Sequence, residues 1–348
     1  MRVLSLFDGI SCARVALSRV GIFDELLYRK NNQGLIYFAS EIDKNSIQIA
    51  QKNFPDTIQL GNVKTITKDL LSSYMGVVEI DLLIGGSPCQ DLSIAKKERK
   101  GLAGERSGLF WEYVRILKEV KPKYFILENV NSMPKEAKDT ITKELGVEPI
   151  MINAALVSAQ NRKRLFWTNI PNVKLPDDRG IFLKDILEPK VDDVFTVKPK
   201  SNTVRSSGRG SGIDDKHNWD TIRIGTINKG GQGDRIYSPE GKSVGLSALG
   251  GGRGAKTGLY AVALRNRGEG KKPEIGGDKA NAMTTVQTDS MVMENTQIRK
   301  LTPIECERLQ GLPDNYTAGV SNSQRYKMLG NAFNVDVVAH ILEGIKNL

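Results

Sequence analysis

The sequence predicts an α/β fold in which a smaller β-rich domain is inserted into a mostly parallel sheet structure. In the first half of the chain, short apolar runs alternate with segments whose apolar residues have helical spacing. Such alternation is typical of a parallel sheet that is covered by helices on both faces. From about Pro171 the composition changes to Gly, Ser, Thr and charged residues with short β-like pieces, which indicates a second module.

The elements follow from these patterns in chain order. The apolar runs predict strands at residues 3–7, 36–40, 58–60, 82–85, 124–128, 150–156 and 165–168. Helical spacing predicts helices at 43–53, 65–74, 107–120 and 135–145. Another helix is predicted at 302–309, where Thr302 suits the N-cap and Pro303 suits the first turn. An amphipathic helix is expected near the end of the chain.

Composition limits the class of protein. The chain has 348 residues, enough for one large domain with an insert, and its 39% hydrophobic residues suit a globular core. No apolar run reaches the ~18 residues of a membrane span, and the first strand begins too early to leave room for a signal peptide. The three cysteines are widely spaced and the two histidines are far apart, so we expect neither disulfides nor a metal site.

The positive charge is concentrated in one segment. The whole chain has a formal net charge of +10, and residues 223–272 alone contain ten Lys or Arg against three acids. This concentration is expected of a surface that contacts the phosphates of a nucleic acid. The alternative is a solvated basic loop without a partner.

Chemistry-bearing side chains follow three of the predicted strands. One apolar run passes through two glycines into Pro88-Cys89, another ends at Glu128, and Arg162 and Arg164 alternate before an aromatic strand. Ligands of open α/β sheets bind beyond the carboxyl ends of the strands. A free cysteine is often only a small buried hydrophobe, but these partners make Cys89 a candidate nucleophile.

In their order along the chain, these motifs resemble those of the cytosine-C5 DNA methyltransferase family, which run Phe-x-Gly, Pro-Cys, Glu-Asn-Val, Gln-x-Arg-x-Arg and Gly-Asn. Here they begin at Phe7, Pro88, Glu128, Gln160 and Gly330. Leu-Phe-Asp-Gly-Ile and Gly-Gly-Ser-Pro-Cys-x-Asp-Leu-Ser are also similar to the animal de novo DNA methyltransferases and their bacterial and phage relatives. The resemblance implies a Rossmann-like methyltransferase domain at 1–172 and 297–348, with a target recognition domain at 173–296.

The resemblance also implies the cofactor S-adenosylmethionine. The turn at 7–12 lacks the Gly-x-Gly-x-x-Gly of a pyrophosphate cradle, so an NAD enzyme is the weakest alternative. Glu41 suits two ribose hydroxyls, because one carboxylate can accept both hydrogen bonds. Asn62 stands where the family commonly has Asp, and Asp8 and Ser11 replace small residues. The residues assigned to the cofactor by resemblance are Phe7, Gly9, Ile10, Glu41, Ile42, Asn62, Val63, Pro88, Leu109 and Asn331.

The implied reaction methylates C5 of a cytosine that is flipped out of duplex DNA. Cys89 adds to C6, Glu128 holds or donates a proton at N3, and Arg162 and Arg164 stabilise negative charge nearby. We expect one of the two arginines to have a structural role instead and favour Arg164 for the catalytic one. The residues expected to contact DNA are Gln90, Ser93, Gln160, Arg235 and Arg253.

Two alternative functions stay open at this point: a tRNA cytosine-C5 methyltransferase on the same scaffold, and a non-catalytic DNA-binding paralogue. The large basic insert favours duplex DNA over tRNA, and the complete motif set argues against the paralogue. We expect a cytoplasmic monomer of bacterial or phage origin. It would be either a solitary enzyme or the partner of a cognate restriction endonuclease.

Overall fold

The computed structural model describes residues 1–21, 34–76, 79–88, 107–189, 223–226, 235–238, 241–244, 246, 259–263, 296–299 and 301–346. They divide into two compact units. The first unit comprises Met1–Asn153, Lys163–Pro176 and Ala332–Leu348, and the second comprises Ala154–Arg162 and Asp177–Asn331.

A seven-stranded sheet forms the centre of the first unit. Its strands are β1 (Arg2–Leu6), β2 (Ile36–Ser40), β3 (Ile58–Gln59), β4 (Leu82–Gly85), β5 (Tyr124–Val130), β6 (Ile150–Asn153) and β8 (Lys163–Thr168), in the order β3-β2-β1-β4-β5-β8-β6. The first five strands of that order are parallel, and β8 is antiparallel to both of its neighbours. The predicted mostly parallel α/β sheet is confirmed.

Several helices of the first unit begin and end at typical capping residues. They are α1 (Cys12–Arg19), α2 (Lys44–Asn53), α3 (Lys68–Met75), α4 (Phe110–Val120), α5 (Lys135–Leu145) and, at the end of the chain, α8 (Val335–Lys346). The Asp43 and Thr67 side chains cap α2 and α3 by accepting backbone N–H bonds, and Gly146 ends α5 in the left-handed conformation. The apolar faces of α4 and α5 share one core with β1, β4 and β5.

The strand order places two loops side by side. The chain runs outward from β1 through β2 to β3, and then returns to add β4 and β5 on the other side of β1. Leu6 and Gly85 are register partners at the carboxyl ends of β1 and β4. The turn after β1 and the loop after β4 therefore meet at a topological switch point, where open α/β sheets bind ligands.

In its described residues, the second unit has short strands and two helices. The four-stranded sheet has the order β13-β12-β10-β9, and a separate strand pair joins β11 to β7. The strands are β7 (Gln160–Asn161), β9 (Arg223–Thr226), β10 (Arg235–Tyr237), β11 (Ser243–Val244), β12 (Leu259–Ala263) and β13 (Thr296–Arg299). The helices are α6 (Pro303–Leu309) and α7 (Asn322–Asn331).

Some predicted boundaries differ from the structure. The strand predicted at 150–156 ends at Asn153, because Ala154–Leu156 form a 3-10 turn that begins the second unit. The expected catalytic segment 297–348 is also divided: residues up to Asn331 belong to the second unit, and only Ala332–Leu348 return to the first. One contact within the second unit ties α6 to the segment before it: the Glu188 backbone N–H donates to the Glu305 carboxylate at 2.8 Å. No helix in the described part of the chain is long and apolar enough to cross a membrane.

Candidate active site

The turn after β1 has an unusual backbone. Phe7, Gly9 and Ser11 all have positive φ angles, of 57°, 60° and 60°. Such angles are disfavoured for residues other than glycine and persist where the surroundings hold them. Here the Asp8 N–H donates to the Ser40 carbonyl at 3.1 Å, and the Ser11 N–H donates to the Asp8 carbonyl at 3.1 Å. The turn is thus fixed in one conformation.

A buried carboxyl group supports this turn from below. Asp8 accepts hydrogen bonds from the Ser11 hydroxyl at 2.5 Å and from the Tyr37 hydroxyl at 2.7 Å. Burial raises the pKa of Asp8, and the hydrogen bonds from Ser11 and Tyr37 offset this only in part. Arg14 lies 5.3 Å from the centre of the Tyr37 ring. Asp8, which departs from the small residue frequent in the family, is therefore part of a buried polar cluster.

Glu41 at the end of β2 joins the same turn. Its carboxylate accepts backbone N–H bonds from Gly9 at 2.8 Å, Ile42 at 2.7 Å and Asp43 at 2.9 Å. A carboxylate has about four acceptor positions, so one is left. To accept both hydroxyls of a ribose, as expected from the sequence, Glu41 would have to release one of these backbone bonds. The adjacent Ile42 side chain is 70% exposed, an apolar surface beside the carboxylate.

A 3-10 turn at Val63–Thr65 follows β3. Asn62 caps it, with its side-chain oxygen accepting the Lys64 N–H at 3.0 Å. Val63 is buried, whereas Asn62 is exposed, and the second lone pair of its carbonyl is available to another donor. Leu109, at the start of α4, packs partly buried against the core.

These residues fit S-adenosylmethionine. Space is open beside Gly9, where a Cβ would meet no atom within 4 Å. Close by along the strand ends are a carboxylate, the exposed apolar Ile42 and the exposed amide of Asn62. They match the needs of a ribose, an adenine ring and its amino group, without any phosphate cradle.

The loop after β4 leads to Pro88 and is tied to β5. Ser87 is buried, and its carbonyl and hydroxyl accept the Asn129 side-chain N–H at 3.4 and 3.2 Å. The Asn129 side-chain oxygen accepts the Val130 N–H at 2.8 Å. Sequence reasoning gave Asn129 no role, although an asparagine inside an apolar strand was a signal. It fixes the partly buried Pro88 relative to β5.

Glu128 on β5 forms the charged centre of the first unit's site. Its Oε1 accepts from Arg164 Nε at 2.9 Å, and the two side chains are 13% and 22% exposed. Its Oε2 faces Gly86, where an added Cβ would lie 3.1 Å from that oxygen and 2.7 Å from the Phe333 ring. The second glycine of the Gly-Gly-Ser-Pro-Cys motif is thus needed for close approach. Phe333, which sequence reasoning also missed, provides an apolar wall there.

The second unit holds Gln160 and Arg162. We expected both to alternate with Arg164 on one face of a single extended segment, but the structure corrects this. Gln160 lies on β7, which pairs with β11, and the segment breaks at Arg162 before β8 begins. Gln160 is fully buried, and among the residues that the structure describes its side-chain amide has no hydrogen-bond partner. Arg162 is buried and donates to the Gly330 carbonyl at 3.2 Å.

The other expected site residues are located as follows. Asn331 is exposed at the end of α7, and Arg235 begins β10 with its side chain partly buried. Lys242, counted in the basic segment, is fully buried and donates to the Ser158 and Ile181 carbonyls, which removes it from the phosphate-contacting set. Ile10 is buried beneath the first turn. The remaining predicted residues, Cys89, Gln90, Ser93 and Arg253, lie outside the described residues.

The described side chains offer no metal centre. Within the ranges that the structure covers, no three His, Cys, Asp or Glu residues are grouped so that they could hold a metal ion.

Comparisons with known proteins support the motif pattern. The chain is 28% identical to the type II methyltransferase M.HhaI of Haemophilus parahaemolyticus, with 99% of this chain and 94% of that protein covered. It is also 28% identical to the orphan methyltransferase M.SPRI of Bacillus phage SPR, with 99% and 97% covered. The fold is similar to that of the Entamoeba histolytica methyltransferase EhMeth, with a TM-score of 0.68, 18% identity, and 100% and 98% of the two chains covered.

The family assignment rests on the whole chain. The model of the C-5 cytosine-specific DNA methylase family matches residues 1–347, including the turn after β1, the Pro88 loop and Glu128. The resemblance predicted from the motifs is confirmed. This chain belongs to the C-5 cytosine-specific DNA methylase family.

Proposed function

We propose that this protein transfers the methyl group of S-adenosylmethionine to C5 of a cytosine in a specific sequence of duplex DNA. One observation carries the proposal: the Glu128–Arg164 pair lies against Gly86, in the loop that leads through Pro88 to Cys89. This carboxylate is on β5, next to the loop after β4, which is one of the two loops that meet at the switch point of the sheet.

The chemistry needs a nucleophile because cytosine C5 is electron-poor. The Cys89 thiolate forms a bond to C6, and the ring electrons then make C5 nucleophilic. The cofactor, when bound, supplies an electrophilic methyl group on a sulfonium. C5 takes the methyl group, a base or water removes the C5 proton, and the C6–sulfur bond breaks to release Cys89.

Glu128 controls charge on the ring during this addition. A proton held between its carboxyl group and N3 prevents negative charge from building up as sulfur adds. Arg164, through its bond to Oε1, orients the carboxyl group, while Oε2 faces Gly86 in the loop that leads to Cys89. Arg162 donates instead to the Gly330 carbonyl, next to Asn331, and supports the proposed cofactor contact at Asn331.

The second unit is the proposed DNA reader. Residues 223–272 keep a strong excess of basic residues even after the buried Lys242 is set aside. Arg235 and Arg253 are the proposed base-reading candidates, and Gln90 and Ser93 would contact the DNA backbone beside the flipped base. Gln160 could join them only if its segment moved out of the position described above.

The proposal includes a biological setting. The enzyme would act as a cytoplasmic monomer in a bacterial or phage-infected cell. If it is the modification half of a restriction system, a cognate endonuclease would cut the same sequence when it is unmethylated.

Trapping on 5-fluorocytosine tests the proposal. Duplex DNA that carries this base in the target sequence should give a denaturation-stable adduct with the wild type, because fluorine cannot leave as the proton does. Cys89→Ser should form none. Glu128→Gln should bind cofactor and DNA but methylate about 10²–10⁴-fold more slowly, since the amide has no proton to transfer.

Two buried cysteines provide matched controls. Cys12→Ser and Cys306→Ser should keep the adduct, because both side chains are buried and burial raises the pKa of the Cys306 thiol. An adduct that survives Cys89→Ser but needs Cys12 or Cys306 would refute the assignment. If the enzyme methylated a tRNA in preference to duplex DNA in the same assay, tRNA would replace duplex DNA as the proposed substrate.

A further inference from the structure

Arg115 projects from α4 onto the turn that follows β3. The helix buries Phe110, Tyr113, Val114, Ile116 and Val120 in the core, whereas the Arg115 side chain is 37% exposed. Its Nη1 donates to the Ile66 carbonyl at 2.9 Å and its Nη2 to the Val63 carbonyl at 3.3 Å. The guanidinium therefore spans the Val63–Thr65 turn from one end to the other.

Two carboxylates hold this guanidinium in place. Glu112 accepts from Arg115 Nε at 2.8 Å, and Glu119 accepts from its Nη1 at 3.0 Å. Glu119 also accepts the Lys68 backbone N–H at 2.6 Å, at the start of α3. A single cluster on α4 thus contacts both ends of the segment between the turn and α3.

The turn presents Asn62 to solvent. Val63 and Ile66 are buried, so they anchor the turn to the core, while Asn62 caps it with an exposed side chain. The orientation of the Asn62 side-chain carbonyl consequently depends on the position of this short 3-10 turn. The turn's own bonds run from the Thr65 N–H and hydroxyl to the Asn62 backbone carbonyl and from the Ile66 N–H to the Val63 carbonyl. Arg115 adds two bonds, to the Val63 and Ile66 carbonyls, and these tie the turn to α4.

We infer that Arg115 is a positioning residue of the cofactor site, which acts through the Asn62–Val63 turn and contacts no reacting atom. The inference rests on the proposed function, because it takes Asn62 as the acceptor of the adenine amino group. Lysine cannot replace this residue: an ammonium is a single point of donation, whereas the planar fork reaches two carbonyls and two carboxylates at once.

A purely structural ion pair is the competing explanation. Exposed pairs at i,i+3 and i,i+4 on a helix stabilise it only slightly, and their loss would not change which base the site prefers. Base preference therefore separates the two roles. S-adenosylhomocysteine carries the adenine amino group, and its deaminated form, S-inosylhomocysteine, carries a carbonyl oxygen at that position, which the Asn62 carbonyl would repel.

Calorimetric titration of both ligands into Arg115→Lys and Arg115→Gln tests the inference, together with methylation kinetics on duplex DNA. Each variant should bind S-adenosylhomocysteine about 10-fold more weakly and should discriminate less against the deaminated form, since a charge-assisted bond to the turn is lost. The KM for the cofactor should rise, while kcat at saturating cofactor should change by less than about 2-fold.

Lys118→Gln is the matched control, because it removes an exposed ion pair with Glu144 from the same helix. It should behave as the wild type. Glu119→Gln keeps Arg115 but weakens the ion pair that holds it. It should shift base preference in the same direction by a smaller factor. This variant keeps the test valid if the Arg115 variants do not fold.

The inference is overturned if the Arg115 variants keep the wild-type affinities, or if they lose affinity for both ligands equally. A wild type that binds neither ligand would instead overturn the proposed function, and this inference with it.

Discussion

The strands of the first unit and the helices of the second unit bury different kinds of side chain. In the first unit, Leu4, Phe38 and Leu83 lie on neighbouring strands and are fully buried apolar residues. In the second unit, Glu305 and Glu307 on α6 are equally buried but carry carboxylates. The backbone of the first unit is held mainly by a continuous sheet, with side-chain bonds such as Asn129 to Ser87 at the loops, whereas in the second unit fully buried carboxylates on a helix bind backbone N–H groups.

Glu307 shows how the second unit uses such a group. One carboxylate oxygen accepts from the Thr317 backbone N–H at 2.8 Å, from the Thr317 hydroxyl, and from Arg325 at 2.8 Å. It joins α6 to α7 and to the loop between them. The stability contributed by a buried charge of this kind depends on its partners, because loss of one partner leaves the other charge buried and unpaired. An apolar core depends instead on filled volume.

The largest expected effect is therefore at Glu307. Glu307→Ala should lower the free energy of unfolding of the second unit by about 3–5 kcal/mol, because Arg325 is left buried without its carboxylate. Urea denaturation followed by hydrogen exchange, peptide by peptide, measures the loss in α6 and α7. The double variant Glu307→Met with Arg325→Met should lose less free energy of unfolding than the single variant, since neither charge is left without its partner. Strictly additive losses would contradict this account.

Leu83 provides the apolar counterpart in the first unit. Leu83→Ala should cost about 2–5 kcal/mol through lost contacts and a cavity. Leu83→Met, which nearly conserves volume, should cost less than about 1.5 kcal/mol. The comparison between the units fails if Glu307→Gln, which also nearly conserves volume, is tolerated as well as Leu83→Met.

The same contrast explains which features could be predicted from the sequence. The strands at 36–40 and 82–85 were predicted with the observed bounds, because fully buried strands give continuous apolar runs. The position of Glu128 on a central strand beside the Pro88 loop agrees with the motif order, while its role in the site stays a prediction. The roles of Gln160, Arg162 and Lys242 did not follow, because nothing local distinguishes a polar side chain that binds a buried carbonyl from one that faces solvent or DNA. The partners of Arg162 and Lys242 are more than 60 residues away from them in sequence.

A third prediction concerns Asp8, whose pKa is raised by burial despite hydrogen bonds from Ser11 and Tyr37. Below the ordinary pKa of 3.8, Asp8 is protonated in both the folded and the unfolded chain. Its protonation then does not change the free energy of unfolding with pH. As the pH rises from 3.8 towards the raised folded-state pKa, the unfolded chain releases its proton first, so stability falls until the folded chain also ionises. Asp8→Asn should remove this slope.

Chemical denaturation of the wild type and Asp8→Asn between pH 4 and neutrality measures that difference. The variant should gain stability relative to the wild type as the pH rises, because its amide can still bond both hydroxyls without carrying a charge. A difference that is independent of pH would indicate that Asp8 is ionised equally in both states. The nearby Glu41 carboxylate, whose charge also raises the Asp8 pKa, should then be examined with Glu41→Gln.

The smallest expected effect has the opposite pH dependence and lies in the second unit. Arg308 donates to both oxygens of Asp314, at 2.8 and 2.6 Å, and this pairing lowers the pKa of Asp314. Its contribution to stability is therefore present above the ordinary pKa and is lost as the pH falls through the lowered one. Because the side chains are 31% and 46% exposed, solvent screening should limit the cost of Asp314→Asn at neutral pH to about 0.2–1 kcal/mol. Hydrogen exchange of peptides from α6 should show this cost, and it should shrink in acid and at high salt. A cost that grows in acid would mean that Asp314 is stabilised in its protonated form, and the two units would then not differ in how they hold their carboxylates.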